Sequence, residues 1–113
     1  MRFAVLLYQD ETVWESASPE ERQAYLDGHA DFGARARRRG CEVVAGEALR
    51  TVAAATTVRR RGDDVGVTDG PFAETVEQLG GLYLVDAPDV DTLVEVVAAL
   101  PEHTVELRPV AHV

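Results

Sequence analysis

Two short runs, "RFAVLLY" at residues 2 to 8 and "LYLVDA" at residues 82 to 87, are apolar at consecutive positions instead of alternate ones. A strand written that way is buried on both faces. The chain has two segments with the spacing of amphipathic helices, and two helices cover only one face of a sheet. The other face therefore requires a partner, and a second copy packing sheet to sheet is the economical one. The expectation is a homodimer.

At 113 residues the chain fits one domain, spanning 1–113, with room for a core that needs no metal or disulfide staple. The first helix opens at "SPEE", with Ser18 as N-cap, Pro19 at the first helical position and Glu21 placed to close a capping box. It closes where Arg35, Arg37, Arg38 and Arg39 complement the helix dipole and Gly40 suits a left-handed terminator. Tyr25, His29, Phe32 and Ala36 share one stripe of it, which places His29 on the inner face. "CEVVAGEAL" reads as a strand, and "ATTVRRRGDDVGVTDG" as a hairpin whose tip carries Gly62-Asp63. "PDVDTLVEVVAALP" reads as a second helix, with Asp89 as N-cap, Pro101 as its stop, and Val90, Leu93, Val97 and Leu100 on one stripe. "TVELRPV" closes the chain as a strand. The order β-α-β, hairpin, β-α-β is that of a ferredoxin-like α+β sandwich of two split halves plus an extra hairpin.

Composition removes several function classes. A formal charge of −9 argues against nucleic acid as the partner, since an acidic surface repels phosphate. All 11 basic residues are Arg, so Schiff-base chemistry on lysine is excluded. No apolar run approaches the roughly 20 residues of a membrane span, and the lone Cys41 has no disulfide partner within the chain. These features fit a cytoplasmic protein with no membrane association. His29, His103 and His112 are scattered without ligand spacing, so no metal is expected, and His103 and His112 read as exposed fillers. No G-x-S-x-G is present, and Gly80-Gly81 lacks the spacing of a phosphate or dinucleotide cradle, so no cofactor is expected. The glycine pair reads instead as a strand entry or bulge.

Two residues remain for chemistry. Asp69 precedes Gly70-Pro71, where an acid ordinarily shapes a turn, and His29 lies on the inner helix face, where a histidine is ordinarily a satisfied core residue. In the expected fold the helix lies over the sheet, so a strand-end acid can hold one imidazole nitrogen and leave the other as general base or acid. Tyr8, Phe72 and Tyr83 are candidate pocket walls and equally candidates for core or dimer packing.

"VTDGPFAETVEQLGGLYLVDA" closely resembles the signature of the YCII-related family, in its DGPF subgroup. The similarity continues through "YQDETVW", "SPEERQAYLDGHADF", "TTVRRRGDDVGVTDGPFAETVEQLGG" and "VELRPV". The chain departs from the subgroup at Val76, where the subgroup usually has Lys after "AET". The resemblance implies a ferredoxin-like fold, dimerisation into an α/β barrel, and a His and Asp pair lining a pocket, which falls on His29 and Asp69. It implies acid–base chemistry of the lyase or dehalogenase type on a small cyclic or carbonyl compound. The alternative it leaves is a non-catalytic ligand-binding or regulatory module with a protein partner, associated with an alternative sigma factor. A structural dimer with no pocket is the third.

Overall fold

A computed structural model of the chain describes residues 1–112. β1 (Arg2–Gln9) is followed by a short α1 (Glu11–Glu15) and the long α2 (Pro19–Arg38). β2 (Glu42–Ala48), a 3-10 turn at Val52–Ala54, the hairpin β3 (Thr56–Arg61) and β4 (Asp64–Asp69), and β5 (Gln78–Asp86) come next. α3 (Val90–Val97) and β6 (Thr104–Pro109) complete the chain. β2, β5, β1 and β6 form an antiparallel sheet in that order, compatible with a ferredoxin-like α+β fold, while β3 and β4 form a separate two-stranded sheet.

Local chemistry explains most boundaries. The Ser18 hydroxyl accepts from Glu21 N at 3.1 Å and the Glu21 carboxylate accepts from Ser18 N at 3.2 Å, so the capping box forms in full. Gly40 takes φ +75° just past the helix, and Gly62 takes φ +56° at the hairpin tip, conformations that side chains other than glycine disfavour. Asp89 caps α3 by accepting from Thr92 N at 2.7 Å.

Two expectations need correction. α1 was not expected; Asp10 nucleates it by accepting from Thr12 N at 3.0 Å, and five residues are too few to show a helical period. α3 ends at Val97, short of Leu100, so the buried stripe is Leu93 and Val96 with Leu100 added from the following turn, and Val90 is exposed.

The core lies between one face of the sheet and the two long helices. Phe3, Val5 and Leu7 of β1 and Val85 of β5 meet Phe32 and Ala36 of α2 and Leu93 and Val96 of α3. The alternate residues Ala4, Leu6, Tyr8, Leu82 and Leu84 are half-buried on the sheet's other face, with Ala4 opposite Leu84 and Leu6 opposite Leu82. Both strands therefore are apolar on two faces, and the helices take one. Among the described residues no helix is long and apolar enough to cross a membrane.

Candidate functional site

The stripe on α2 is closed at one end and open at the other. Phe32 and Ala36 are buried, whereas Tyr25 and His29, about two turns and one turn before Phe32, are only half-buried. Beneath them lies a cleft of about 330 Å³ whose lining includes Leu7, Tyr25, His29, Gly81, Tyr83 and Glu102. Glu102 arrives from the turn after α3 and is 8% exposed, the one charged residue that is buried among the described residues.

Two glycines bring these groups together. Gly46 on β2 faces Tyr83 on β5 in register, and a Cβ at Gly46 would sit 2.4 Å from the Tyr83 ring. Only a bare backbone lets that ring lie where it does. Gly28 on α2 faces Pro101, and a Cβ there would fall 3.2 Å from Pro101 Cδ, so the two segments approach closely and carry Glu102 up to His29.

The result is a continuous hydrogen-bonded chain. Tyr25 Oη lies 2.5 Å from Glu102 Oε1, His29 Nε2 lies 2.5 Å from the same oxygen, and His29 Nδ1 lies 2.7 Å from Tyr83 Oη. Burial pushes the Glu102 carboxyl up, but the hydrogen bonds from His29 and Tyr25 outweigh it and hold the group below the ordinary carboxylate range. Burial, then the bond to Glu102, pushes the Tyr25 phenol well above its ordinary value, and burial followed by the Glu102 charge raises Tyr83. An ionised carboxylate only accepts, so Tyr25 O–H and His29 Nε2–H both donate to it. Nδ1 then has two states: it accepts from Tyr83 O–H when the ring is neutral, or donates to Tyr83 Oη when the ring is an imidazolium. Among the described residues, Glu102 Oε2 is buried with no hydrogen-bond partner, which leaves acceptor capacity inside the site.

The residues singled out from sequence fall in different places. His29 and Tyr83 meet in the cleft. Asp69 ends β4 on the separate hairpin, paired with Thr56, and the ring nitrogens of His29 are engaged by Tyr83 and Glu102. The turn after Asp69 is made by Gly70, at φ +98°, whose N–H donates to Ala55 O at 2.7 Å. Phe72 is 75% exposed beyond that turn, and Tyr8 shares the sheet face away from the helices with Ala4 and Leu6. Glu102 and the hydroxyl of Tyr25 were not picked out from sequence. Glu102 directly follows Pro101, which lies beyond the end of α3 at Val97 and so is not the residue that stops it, a position that looks like an exposed loop until Gly28 is known to seat that proline.

Similarity to known proteins extends over almost the whole length of the chain. An uncharacterised protein of Rhizobium meliloti (strain 1021) is 36% identical over 118 aligned positions, which cover 98% of this chain and 93% of the relative. The profile of the YCII-related domain matches residues 1–112, and the chain belongs to the YCII-related family.

Proposed function

We propose that the cleft is an acid–base site for a small cyclic or carbonyl compound, with His29 as the proton carrier and Tyr83 as the group that meets the substrate. The observation that carries this reading is the chain Tyr83–His29–Glu102–Tyr25, which joins a half-buried phenol to a buried carboxylate through one imidazole. A proton α to a carbonyl passes to Tyr83 Oη as the Tyr83 hydroxyl proton passes to His29 Nδ1. The electron pair left on carbon delocalises onto the carbonyl oxygen as an enolate. Glu102 holds the imidazolium through Nε2–H, the part that Asp69 was expected to play. The enolate then collapses and expels a β-leaving group as its anion, and the imidazolium returns its proton through Tyr83 to that anion or to solvent, which is lyase or dehydrohalogenase chemistry. Tyr25 fixes the carboxylate.

Asp69 keeps a place in the proposal through dimerisation. The apolar second face of the sheet supports packing against another copy, and a hairpin docked on that copy is the route by which Asp69 and Phe72 reach a site. The "DGPF" stretch supports the DGPF subgroup.

The test is deuterium exchange α to the carbonyl of cyclohexanone, alongside ¹⁵N NMR of the histidines. Exchange above buffer is expected to fall about 10²-fold or more in His29→Gln and in Tyr83→Phe. The Nε2–H tautomer of His29 is expected to be lost in Glu102→Gln and kept in Asp69→Asn. Exchange no faster than buffer, or unchanged in His29→Gln, overturns the acid–base reading. A second reading, a non-catalytic module working through protein contact, is favoured by Val58, Val65 and Val67, each exposed by 59% or more on the hairpin. Stoichiometric recovery of a different protein, reduced by Val67→Asp, would support it.

A further inference from the structure

The cleft at His29 does not end at Gly80. A second compartment of about 300 Å³ adjoins it, shares Tyr25, Leu26, Ala48 and Gly80 with it, and adds Trp14 and Leu49. Leu26, Leu49 and Trp14 are exposed by 55%, 44% and 38%, so three of the large apolar side chains left open on the helix-covered half of the molecule converge on one place. Trp14 is fixed there: its ring centroid lies 5.2 Å from that of Tyr25, and the Arg22 guanidinium sits 4.9 Å from its ring.

Gly80 is the floor where the compartments meet. The pairing of β1 with β5 runs Leu7 to Gly81 and then Tyr8 to Leu79, so Gly80 is the extra residue of a bulge. Its carbonyl accepts from Leu49 N at 2.9 Å, which ties the wall of the second compartment to the floor. A Cβ at Gly80 would meet nothing within 4 Å and its φ is not positive, so glycine here is not required by a clash or by a left-handed backbone. What its bare backbone provides is an unobstructed passage between the two compartments.

The charges at the far end select among ligands. Asp10 and Glu11 both line the second compartment. Hydrogen bonds from Thr12 hold the Asp10 carboxyl below its ordinary range, and the Glu11 carboxylate accepts from Val52 N at 2.9 Å. Two acidic side chains at this end disfavour a ligand that brings a third carboxylate.

Resting on the acid–base reading of the cleft, we propose that the ligand is elongated: a carbonyl head at Tyr83, and an uncharged aryl or alkyl substituent lying across Gly80 against Trp14, Leu26 and Leu49. The volume is that of a small-molecule site, and burying a phenyl-sized group is worth about tenfold to hundredfold in affinity.

The probes are cyclohexanone, 4-phenylcyclohexanone and 4-(4-carboxyphenyl)cyclohexanone, read by fluorescence of the chain's single tryptophan and by the ¹⁵N signals of His29. The phenyl compound is expected to bind at least tenfold more tightly than the parent and to shift the Trp14 emission, with the carboxyphenyl compound weaker than the phenyl one. The phenyl-to-parent affinity ratio is expected to fall towards one in Leu49→Glu and, independently, in Gly80→Val. A ratio near one in the wild type overturns the second compartment while a parent-induced shift at His29 preserves the acid–base reading. Leu49-dependent binding of the phenyl compound that leaves His29 untouched upholds the compartment and overturns the acid–base reading. No response at Trp14 or His29 to any of the three overturns both.

Discussion

The helix-covered sheet and the β3–β4 hairpin are built from similar residues and treat them oppositely. Val5 and Val85 of the sheet are fully buried, whereas Val58 and Val67, cross-strand partners in the hairpin, are 62% and 63% exposed. Every residue of β4 is exposed. A lone two-stranded hairpin is marginal in water, so a hairpin that leaves paired valines open is suited to finishing its burial against another molecule. The radius of gyration, 16.1 Å against about 13 Å for a compact domain of about 100 residues, fits a chain with a projecting part. A β-branched residue in a strand thus reports that a surface is to be covered, and the topology decides whether the cover is the same chain.

The sharpest contrast is expected between Phe32→Ala and a hairpin substitution. Phe32 is 1% exposed, and its truncation should cost about 3–5 kcal/mol in urea denaturation. A loss below about 1 kcal/mol would mean that the helix-covered layer is not the stable unit.

Next in size is Glu102→Gln, expected to cost about 2–3 kcal/mol, because a buried acceptor of charge-assisted bonds is replaced by an amide. Its signature is in the pH profile. The folded-state pKa of Glu102 is depressed, so its stabilisation is present above the ordinary carboxylate range and lost as pH falls through the folded value. Glu102→Gln should therefore flatten the acid limb of stability. Tyr25 acts in the other direction. Its folded pKa is raised, so its stabilisation is present below the ordinary phenol value of 10.0 and lost as pH rises through the folded value. Tyr25→Phe should flatten the alkaline limb, and an unchanged limb in either variant would remove that residue from the buried network.

Gly28→Ala should cost about 1–3 kcal/mol, since the new methyl group meets Pro101 and forces the segment carrying Glu102 aside. The variant should also lose the Nε2–H tautomer of His29, which a purely local clash would leave intact. The smallest change is expected from Val67→Thr, within about 0.5 kcal/mol for the monomer at high dilution. Sedimentation at increasing concentration should nonetheless show weakened self-association. A loss comparable to that of Phe32→Ala at high dilution would place the hairpin in the same cooperative unit as the sheet and erase the contrast.

Much of the fold is legible in local sequence because local chemistry makes it. Ser18 and Glu21 are three residues apart and cap each other, Gly40 and Gly62 take left-handed conformations, and Asp89 caps the helix that it precedes. The double apolar character of β1 is seen in the structure as buried Phe3, Val5 and Leu7 on one face and half-buried Ala4, Leu6 and Tyr8 on the other. The glycine pair at 80 and 81 was open between strand entry and bulge, and the register shift at Gly80 chooses the bulge.

The site was legible only in part, because its members are far apart in the chain. His29 was marked by helical periodicity and Tyr83 by its place in an apolar strand. Glu102 carries no comparable mark: it is 73 positions from His29, and its burial depends on Gly28 accepting Pro101, a packing event without a period or a spacing. Asp69 had the stronger local signature, from a turn that Gly70 now accounts for in geometric terms.

The floor beneath Tyr83 also bears on entropy. Its ring lies over the bare backbone of Gly46, with Phe32 4.8 Å and His29 5.8 Å away between ring centroids. Hemmed in on these sides, the side chain has given up its rotamer freedom during folding. A ligand that binds to the hydroxyl is spared an ordering cost of about 0.5–1.5 kcal/mol that a mobile side chain would exact at that moment. In the proposed site, the bare backbone of Gly46 would serve recognition by settling in advance where the phenol points.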